Sequence, residues 1–300
     1  MSLAQQIARS LQLSEAYVLS IGRSANHRYK QFTIKKADRK SDRLIEQPSR
    51  ALKLLQRWIV RRVLDQLPTH PSAHAYVEGR SIATNAEVHR GSRYISRLDL
   101  ENFFPSLTSA DIELLLRRNR ISVGGSILSD EDILLVNLLT CRFGRLTIGA
   151  PSSPTISNKL FYDLDTRLAQ IAATHNVRYT RYADDLYFSS PQSGVLYDVC
   201  KKVEEVFAET ASPRLVINKR KTYHGSRKRR MVVTGLRITP DAKVSVGREL
   251  KRRIRVVAHK AFHKRLEPHE LAWLHGMLAY VSSIEPHYAE RIRAKYEINR

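Results

Sequence analysis

Tyr179-Thr180-Arg181-Tyr182-Ala183-Asp184-Asp185-Leu186-Tyr187-Phe188 sets two adjacent aspartates between two apolar and aromatic runs. The runs, Val177–Tyr182 and Leu186–Ser189, read as the strands of a hairpin. An Asp-Asp pair at such a place is ordinarily turn chemistry. Here both flanking strands are of a kind that packs inside a core, so the carboxylates sit at the rim of one. Like charges that close repel, and a divalent cation neutralises them. Oxygen ligands with no Cys or His cluster nearby suit Mg²⁺ rather than zinc. Asp99, at the end of the strand-like run Arg93–Leu100, offers a third carboxylate from a neighbouring strand and completes a site for two Mg²⁺ ions. Such a site activates a hydroxyl nucleophile and stabilises a leaving oxygen, which points to phosphoryl transfer.

The charge supplies the substrate class. Among 300 residues, 51 Lys and Arg stand against 29 Asp and Glu, a net +22. Residues 214–255 alone hold 15 basic and 2 acidic side chains, in the runs Lys219–Lys221, Arg227–Arg230 and Lys251–Arg255. One basic run is usually a solvated face; three in one segment read as a track for nucleic-acid phosphates. A hydrophobic share of 42% excludes a disordered basic tail. Cys141 and Cys200 are too few for a disulfide scaffold or a multi-cysteine zinc module, and they fit a reducing cytoplasm. Apolar runs such as Ile133–Val136 fall far short of the roughly 20 residues that span a bilayer. Met1–Gln6 lacks a basic stretch leading into an apolar core, so a cytoplasmic chain with no membrane partner is expected.

Outward from the aspartates, helical and strand periods alternate. Tyr29–Lys36 and Arg43–Glu46, separated by the polar turn Ala37–Asp42, predict a second hairpin. Leu52, Leu55, Ile59, Val63 and Leu67 form one stripe of a helix opened by Pro48-Ser49. Ile156, Leu160, Leu164, Leu168 and Ile171 predict one helix over Pro154–Ala173. Strands are expected near 214–217, 231–238 and 243–246, and the tail from Arg248 reads as mostly helical. No repeat or low-complexity linker interrupts the chain, so an α+β unit of packed subdomains is expected.

Motif order then narrows the class. Tyr182-Ala183-Asp184-Asp185 resembles the YxDD box of reverse transcriptases, and Asp99 followed by Phe103-Phe104 resembles their first catalytic strand. Gly149-Ala150-Pro151-Ser152-Ser153-Pro154 resembles the box between them, ahead of a helix with Ser157-Asn158. Arg43-Leu44-Ile45-Glu46-Gln47-Pro48-Ser49 is similar to the first fingers motif of bacterial members. Together these cover roughly residues 25–240 in the family's order. Asn85-Ala86-Glu87-Val88-His89 and Val233-Thr234-Gly235 are similar to the NAxxH and VTG signatures of retron reverse transcriptases. Each stretch is weak alone, and NAxxH by itself reads as loop sequence; inside this framework they are specific.

The resemblance implies a right-hand polymerase with fingers, palm and thumb, an antiparallel palm sheet, and mostly helical fingers and thumb. N-terminal helices would fill 1–24, fingers 25–95 and 107–150, palm 96–106 and 151–240, and thumb 241–300. It implies that Asp99, Asp184 and Asp185 are catalytic, with Asp99 and Asp184 doing most of the Mg²⁺ holding and the backbone oxygen of Leu100 helping. Phe104 would be the steric gate against a ribose 2′-OH, while Phe103 belongs to the core. Arg43, with Arg39 or Lys40, would grip the incoming dNTP through its triphosphate, a task suited to a guanidinium. Lys221 would protonate the leaving pyrophosphate, with Lys219 as its rival. Gly149, Ala150 and Pro151 would lie under nucleotide and template. The Val233-Thr234-Gly235 segment would be the primer grip. With Asn85, Ala86 and His89, and with Arg227, Lys228, Arg229 and Arg230, it belongs to the set assigned to the retron signatures and RNA binding. Tyr223, Trp273 and Tyr280 are candidates for stacking on RNA, although Trp273 sits among leucines and reads as core. One departure is Ile148, where the family usually has Gln.

The implied partner is a structured non-coding RNA, part of which is copied into DNA from the 2′-OH of a specific guanosine in that RNA, to give branched RNA–DNA (msDNA). A phage-defence effector protein is a further implied partner. The rivals are a group II intron type of reverse transcriptase, whose extra domains 300 residues would not accommodate, a metal nuclease, and a non-catalytic RNA-binding protein.

Overall fold

The computed structural model describes residues 1–35 and 42–298, so Arg39 and Lys40 lie outside the described residues. At its centre is a four-stranded antiparallel sheet in the order Arg178–Tyr182, Asp185–Ser190, Tyr94–Asp99, Tyr223–Ser226. Side chains alternate across it. Leu98, Leu186 and Phe188 enter the main core, and Ile95 and Tyr187 enter a second cluster with Ala86 and Val233. Helices Tyr162–Thr174 and Val195–Glu209 pack on the first face. Helix Ile82–His89 and a small sheet of Val232–Val233, Leu236–Ile238 and Val244–Ser245 stand on the second.

The α+β architecture follows the sequence reading, with local differences. The long helix after Pro154 is two, Ser153–Leu160 and Tyr162–Thr174, broken at Phe161. Phe161 is fully buried, with the Arg181 guanidinium 4.4 Å from its ring centroid; the bend admits that ring to the interior. Residues 214–217 make only an isolated bridge, Leu100 to Ile217, and the strand in this region is Tyr223–Ser226. Residues 231–238 are two strands joined by the Thr234-Gly235 turn, both residues at positive φ. The stretch holding Asn85 and His89 is a helix, N-capped by Ser81, and not a loop.

The second hairpin pairs Tyr29–Lys35 with Asp42–Pro48 in the register Tyr29↔Pro48. Ser49 caps the following helix, Arg50–Arg62. Three C-terminal helices, Arg248–Phe262, Pro268–Ser282 and Pro286–Lys295, enclose their own core of Ile254, Leu274, Leu278 and Ile292. Trp273 packs against that core with Arg253 over its ring. No helix among the described residues is long and apolar enough to cross a membrane.

Candidate active site

Strand register brings the aspartates to one end of the central sheet. Asp99 pairs directly with Asp185, and the two-residue link Ala183-Asp184 turns the chain between Tyr182 and Asp185. Ala183 adopts φ 55, a left-handed conformation that penalises a Cβ and that a small residue tolerates best. Backbone bonds fix both sides of the turn. The Leu100 N–H donates to the Asp184 carbonyl at 3.1 Å, and the Asn218 N–H donates to the Asp99 carbonyl at 2.7 Å.

Beneath the turn the hairpin is anchored by a buried ion pair. Arg181 and Asp165 are both fully buried. The guanidinium donates to the two Asp165 oxygens at 2.7–3.1 Å and to Asn158 Oδ1 at 3.1 Å. Tyr179 adds its hydroxyl to Asp165 at 2.7 Å. The backbone N–H and C=O of Arg181 bond Ser72 and His74 at 2.7 Å each. With every charge partnered, the pair tolerates burial that an isolated ion would not.

The carboxylates themselves are under electrostatic pressure. Burial raises the Asp184 pKa above the usual carboxylate range, and the like charge of Asp99 adds to it. Burial lifts Asp185 to about 6 against the opposing pull of Arg97, with Asp184 contributing further. Asp185 Oδ2 accepts from the Tyr187 hydroxyl at 3.0 Å, and Arg97 Nε lies 3.7 Å from Oδ1. Lys221 Nζ is 2.9 Å from Asp99 Oδ1. Hard oxygen donors crowded at one sheet end, two of them disfavoured as anions, are a donor set that a divalent cation relieves. As the side chains stand, no three His, Cys, Asp or Glu residues among those described converge on one point. Asp185 contacts Tyr187 and Arg97, and Asp99 contacts Lys221.

A cleft of about 580 Å³ opens in front of this end, bordered by Arg43, Tyr76, Phe104, Ile148, Asp184 and Lys221. Phe103 is buried against Phe161, with ring centroids 5.5 Å apart, while Phe104 is half-buried on the cleft wall. Lys219 is directed elsewhere, to Glu204 at 3.3 Å. Gly149 lies against the second hairpin, at φ 121, where a Cβ would meet the Glu46 carbonyl oxygen at 3.0 Å. Ala150 is buried, Pro151 is half-buried, and the Ile148 carbonyl accepts from the Glu46 N–H at 2.8 Å. Of this stretch, it is Ile148 that borders the cleft.

The family profile described as reverse transcriptase (RNA-dependent DNA polymerase) matches residues 34–238. The chain is 33% identical over 294 residues to the retron Ec83 reverse transcriptase of Escherichia coli, covering 95% of this chain and 93% of that one. It is 34% identical over 284 residues to the retron Ec86 reverse transcriptase of Escherichia coli, covering 92% and 85%. The chain belongs to the retron reverse transcriptases. It is an RNA-directed DNA polymerase, of a family that uses divalent metal ions. Among solved structures, a telomerase from Candida albicans in complex with a telomeric RNA fragment has TM-score 0.50 at 13% identity. That likeness covers 93% of this chain and 60% of the other, and it is one of fold alone.

In this retron reverse transcriptase the signature residues lie behind the sheet. Asn85, Ala86, His89 and Val233 are buried, so their side chains have no surface to offer RNA and act in packing. His89 Nδ1 is 2.7 Å from Ser189 Oγ, and Nε2 is 2.7 Å from Thr180 Oγ1, which clamps both strands of the aspartate hairpin. Ser189 gives its hydroxyl hydrogen to Ser92, so it accepts from His89 Nδ1–H, and Nε2 accepts from Thr180. Burial holds this histidine neutral, with a pKa lowered to about 3. Both amide atoms of Asn85 lack a partner among the described residues. Thr234 is half-buried and Gly235 exposed. Arg227 is tied to the carbonyls of Arg90 and Ser92 at 2.9 and 2.6 Å, whereas Lys228, Arg229 and Arg230 are exposed.

Three features escaped the sequence reading. The Arg181–Asp165 pair left no signal, because its members lie on a strand and a helix that only the fold apposes. Tyr76, at φ 60 on the cleft wall, looks in sequence like any loop tyrosine. Tyr187 did have a signal: it stands two residues after Asp185, on the same face of the strand.

Proposed function

We propose that the cleft adds deoxynucleotides to a hydroxyl primer on an RNA template, with Asp99, Asp184 and Asp185 as the catalytic carboxylates. The observation that carries this reading is that Arg43, Phe104, Asp184 and Lys221 border one cleft, at the sheet end where Asp99 pairs with Asp185. Asp99 and Asp184, with the Leu100 backbone oxygen, would hold two Mg²⁺ ions, and Asp185 would complete the set. Mg²⁺ bound there supplies Lewis-acid stabilisation of the attacking and leaving oxygens.

The protein's own groups do the rest. Arg43, exposed on the hairpin strand above the cleft, gives its guanidinium to the triphosphate. The Phe104 ring sits against the sugar and excludes a 2′-OH by volume. Lys221, released from Asp99, offers its ammonium proton to the leaving pyrophosphate. Ile148 replaces with apolar contact what an amide would do by hydrogen bonding near the base. Fingers are assigned to 25–95 and 107–150, palm to 96–106 and 151–240, and thumb to 241–300, with N-terminal helices before them.

The template we infer is a structured non-coding RNA, read by shape and phosphates through Lys228, Arg229, Arg230, the Thr234-Gly235 turn and the basic helix Arg248–Phe262. The 2′-OH of a guanosine in that RNA would prime synthesis, because folded RNA can present it where a primer hydroxyl is needed. The product is branched RNA–DNA, made in the bacterial cytoplasm, and an effector protein of a phage-defence system is the further partner. Nucleic acid that co-purifies with the wild-type chain tests this reading. RNA joined to DNA through a 2′–5′ linkage is the expected finding; DNA joined only by 3′–5′ linkages would overturn the priming assignment.

A further inference from the structure

The turn between Val232–Val233 and Leu236–Ile238 holds a strained residue. Thr234 has φ 46, and a β-branched side chain in the left-handed region is a genuine outlier. Asn or Gly would relieve the strain, and such strain persists where the neighbours over-determine it, most often near functional sites. At Thr234 both hydrogen-bond donors are used. Its Oγ1 donates to the Ile82 carbonyl at 3.0 Å, and its backbone N–H donates to the Tyr187 hydroxyl at 3.1 Å.

Tyr187 is buried, and its hydroxyl is fully committed: it accepts from Thr234 and donates its one hydrogen to Asp185 Oδ2 at 3.0 Å. With Arg97 on the other carboxylate oxygen, the Asp185 side chain is held from two sides. The signature helix braces the same tyrosine. Ile82 opens that helix, Ala86 shares an apolar cluster with Tyr187 and Val233, and the His89 ring lies 6.0 Å from the Tyr187 ring.

We propose that Tyr187 is a positioning residue for the aspartate hairpin, tying the Asp185 carboxylate to the Val233-Thr234-Gly235 turn, and that both retron signature stretches serve the active site through it. The proposal rests on the reading of Asp185 as a member of the catalytic set. Its consequence is that two sequence marks of the family act on the chemistry by bracing one carboxylate, whatever RNA contacts the turn also makes. The relay is a chain of hydrogen bonds ending on a charged group, and partners of this kind tune metal affinity and rate together.

The test compares Tyr187→Phe, Asp185→Asn and the double variant. It reads kcat and the dNTP KM in RNA-templated extension, normalised to active enzyme, and the Mn²⁺ dissociation constant of the metal-free chain by electron paramagnetic resonance. Tyr187→Phe should lower kcat and weaken Mn²⁺ binding, each by about tenfold or more, with KM for dNTP unchanged. The double variant should be no worse than Asp185→Asn in either quantity, since the tyrosine acts through that carboxylate. A Tyr187→Phe enzyme that melts earlier but keeps wild-type kcat per active molecule and wild-type Mn²⁺ affinity overturns the proposal while leaving the site intact. Wild-type activity in Asp185→Asn would instead overturn the site reading on which the proposal stands.

Discussion

The aspartate end of the central sheet and the C-terminal helices solve opposite problems. At the first, charged and polar groups are taken out of water and pinned: Arg181 and Asp165 are fully buried, neutral His89 is clamped between two hydroxyls, and Asp185 is held by Tyr187 and Arg97. At the second, charge is left in water. On helix Arg248–Phe262 only Ile254 and Ala258 are buried, and Arg252, Arg253 and Arg255 face solvent. Phosphoryl transfer needs groups fixed within a fraction of an ångström in a low-dielectric setting. Affinity for a polyanion needs charge density, which solvated side chains supply. Substitutions at the first region should therefore act on fold and rate, and those at the second on salt-dependent binding.

The largest effect is expected at Arg181. Arg181→Leu leaves Asp165 buried and unpaired, a loss of about 3–5 kcal/mol of stability. Chemical denaturation measures it, and a loss below about 1 kcal/mol would remove the buried pair from the account. Adding Asp165→Leu should recover much of the loss, because two apolar groups replace two ions.

Next is Phe104. Phe104→Val should reduce discrimination between dNTP and rNTP by about tenfold or more, read as the ratio of kcat/KM values for the two substrates. An unchanged ratio assigns the ring to packing.

The third prediction concerns the solvated charges. Replacing Lys228, Arg229 and Arg230 with Gln should leave the melting temperature unaltered and reduce the slope of log affinity for RNA against log salt by about 2, as three lost phosphate contacts require. An unchanged slope would take this run out of the RNA track.

The smallest effect is the pH response of the clamp. His89 is held neutral in the fold with a pKa of about 3, below its unfolded value near 6.5. Between those values the unfolded chain binds the extra proton, so this group's contribution to stability is lost as pH falls below about 6.5. Asp185, raised to about 6, acts in the opposite sense over its own range. The comparison is therefore between wild type and His89→Gln, whose stability should fall less steeply from pH 6.5 to 5, by about 1 kcal/mol or more over that interval. Parallel curves would mean that the histidine is not buried as described.

The same contrast explains what the sequence made legible. Hairpins flanked by β-branched and aromatic residues, the Asp99 strand and the basic runs all announce themselves locally, through a period of two or through density of one charge. Tertiary pairing does not. Arg181 looks like an outward strand residue until helix Tyr162–Thr174 brings Asp165 beneath it. The stripe of Leu160, Leu164 and Leu168 runs past Phe161 without recording the break there. Helix Ile82–His89 is only 8 residues long with few large apolar side chains, too little for a helical period to stand out. Strand Tyr223–Ser226 contains a histidine and a glycine and shows no alternation. The NAxxH stretch by itself reads as loop sequence because its residue types are polar, yet it is helical and Asn85 and His89 are enclosed.

The most direct test of the account is RNA-templated extension of an annealed primer with Mg²⁺ and labelled dNTPs, run on wild type and Asp184→Asn beside an RNA-binding measurement on both. The variant should hold the RNA as tightly as wild type and lose DNA synthesis by at least about 10³-fold. DNA synthesis by Asp184→Asn at the wild-type rate would contradict it.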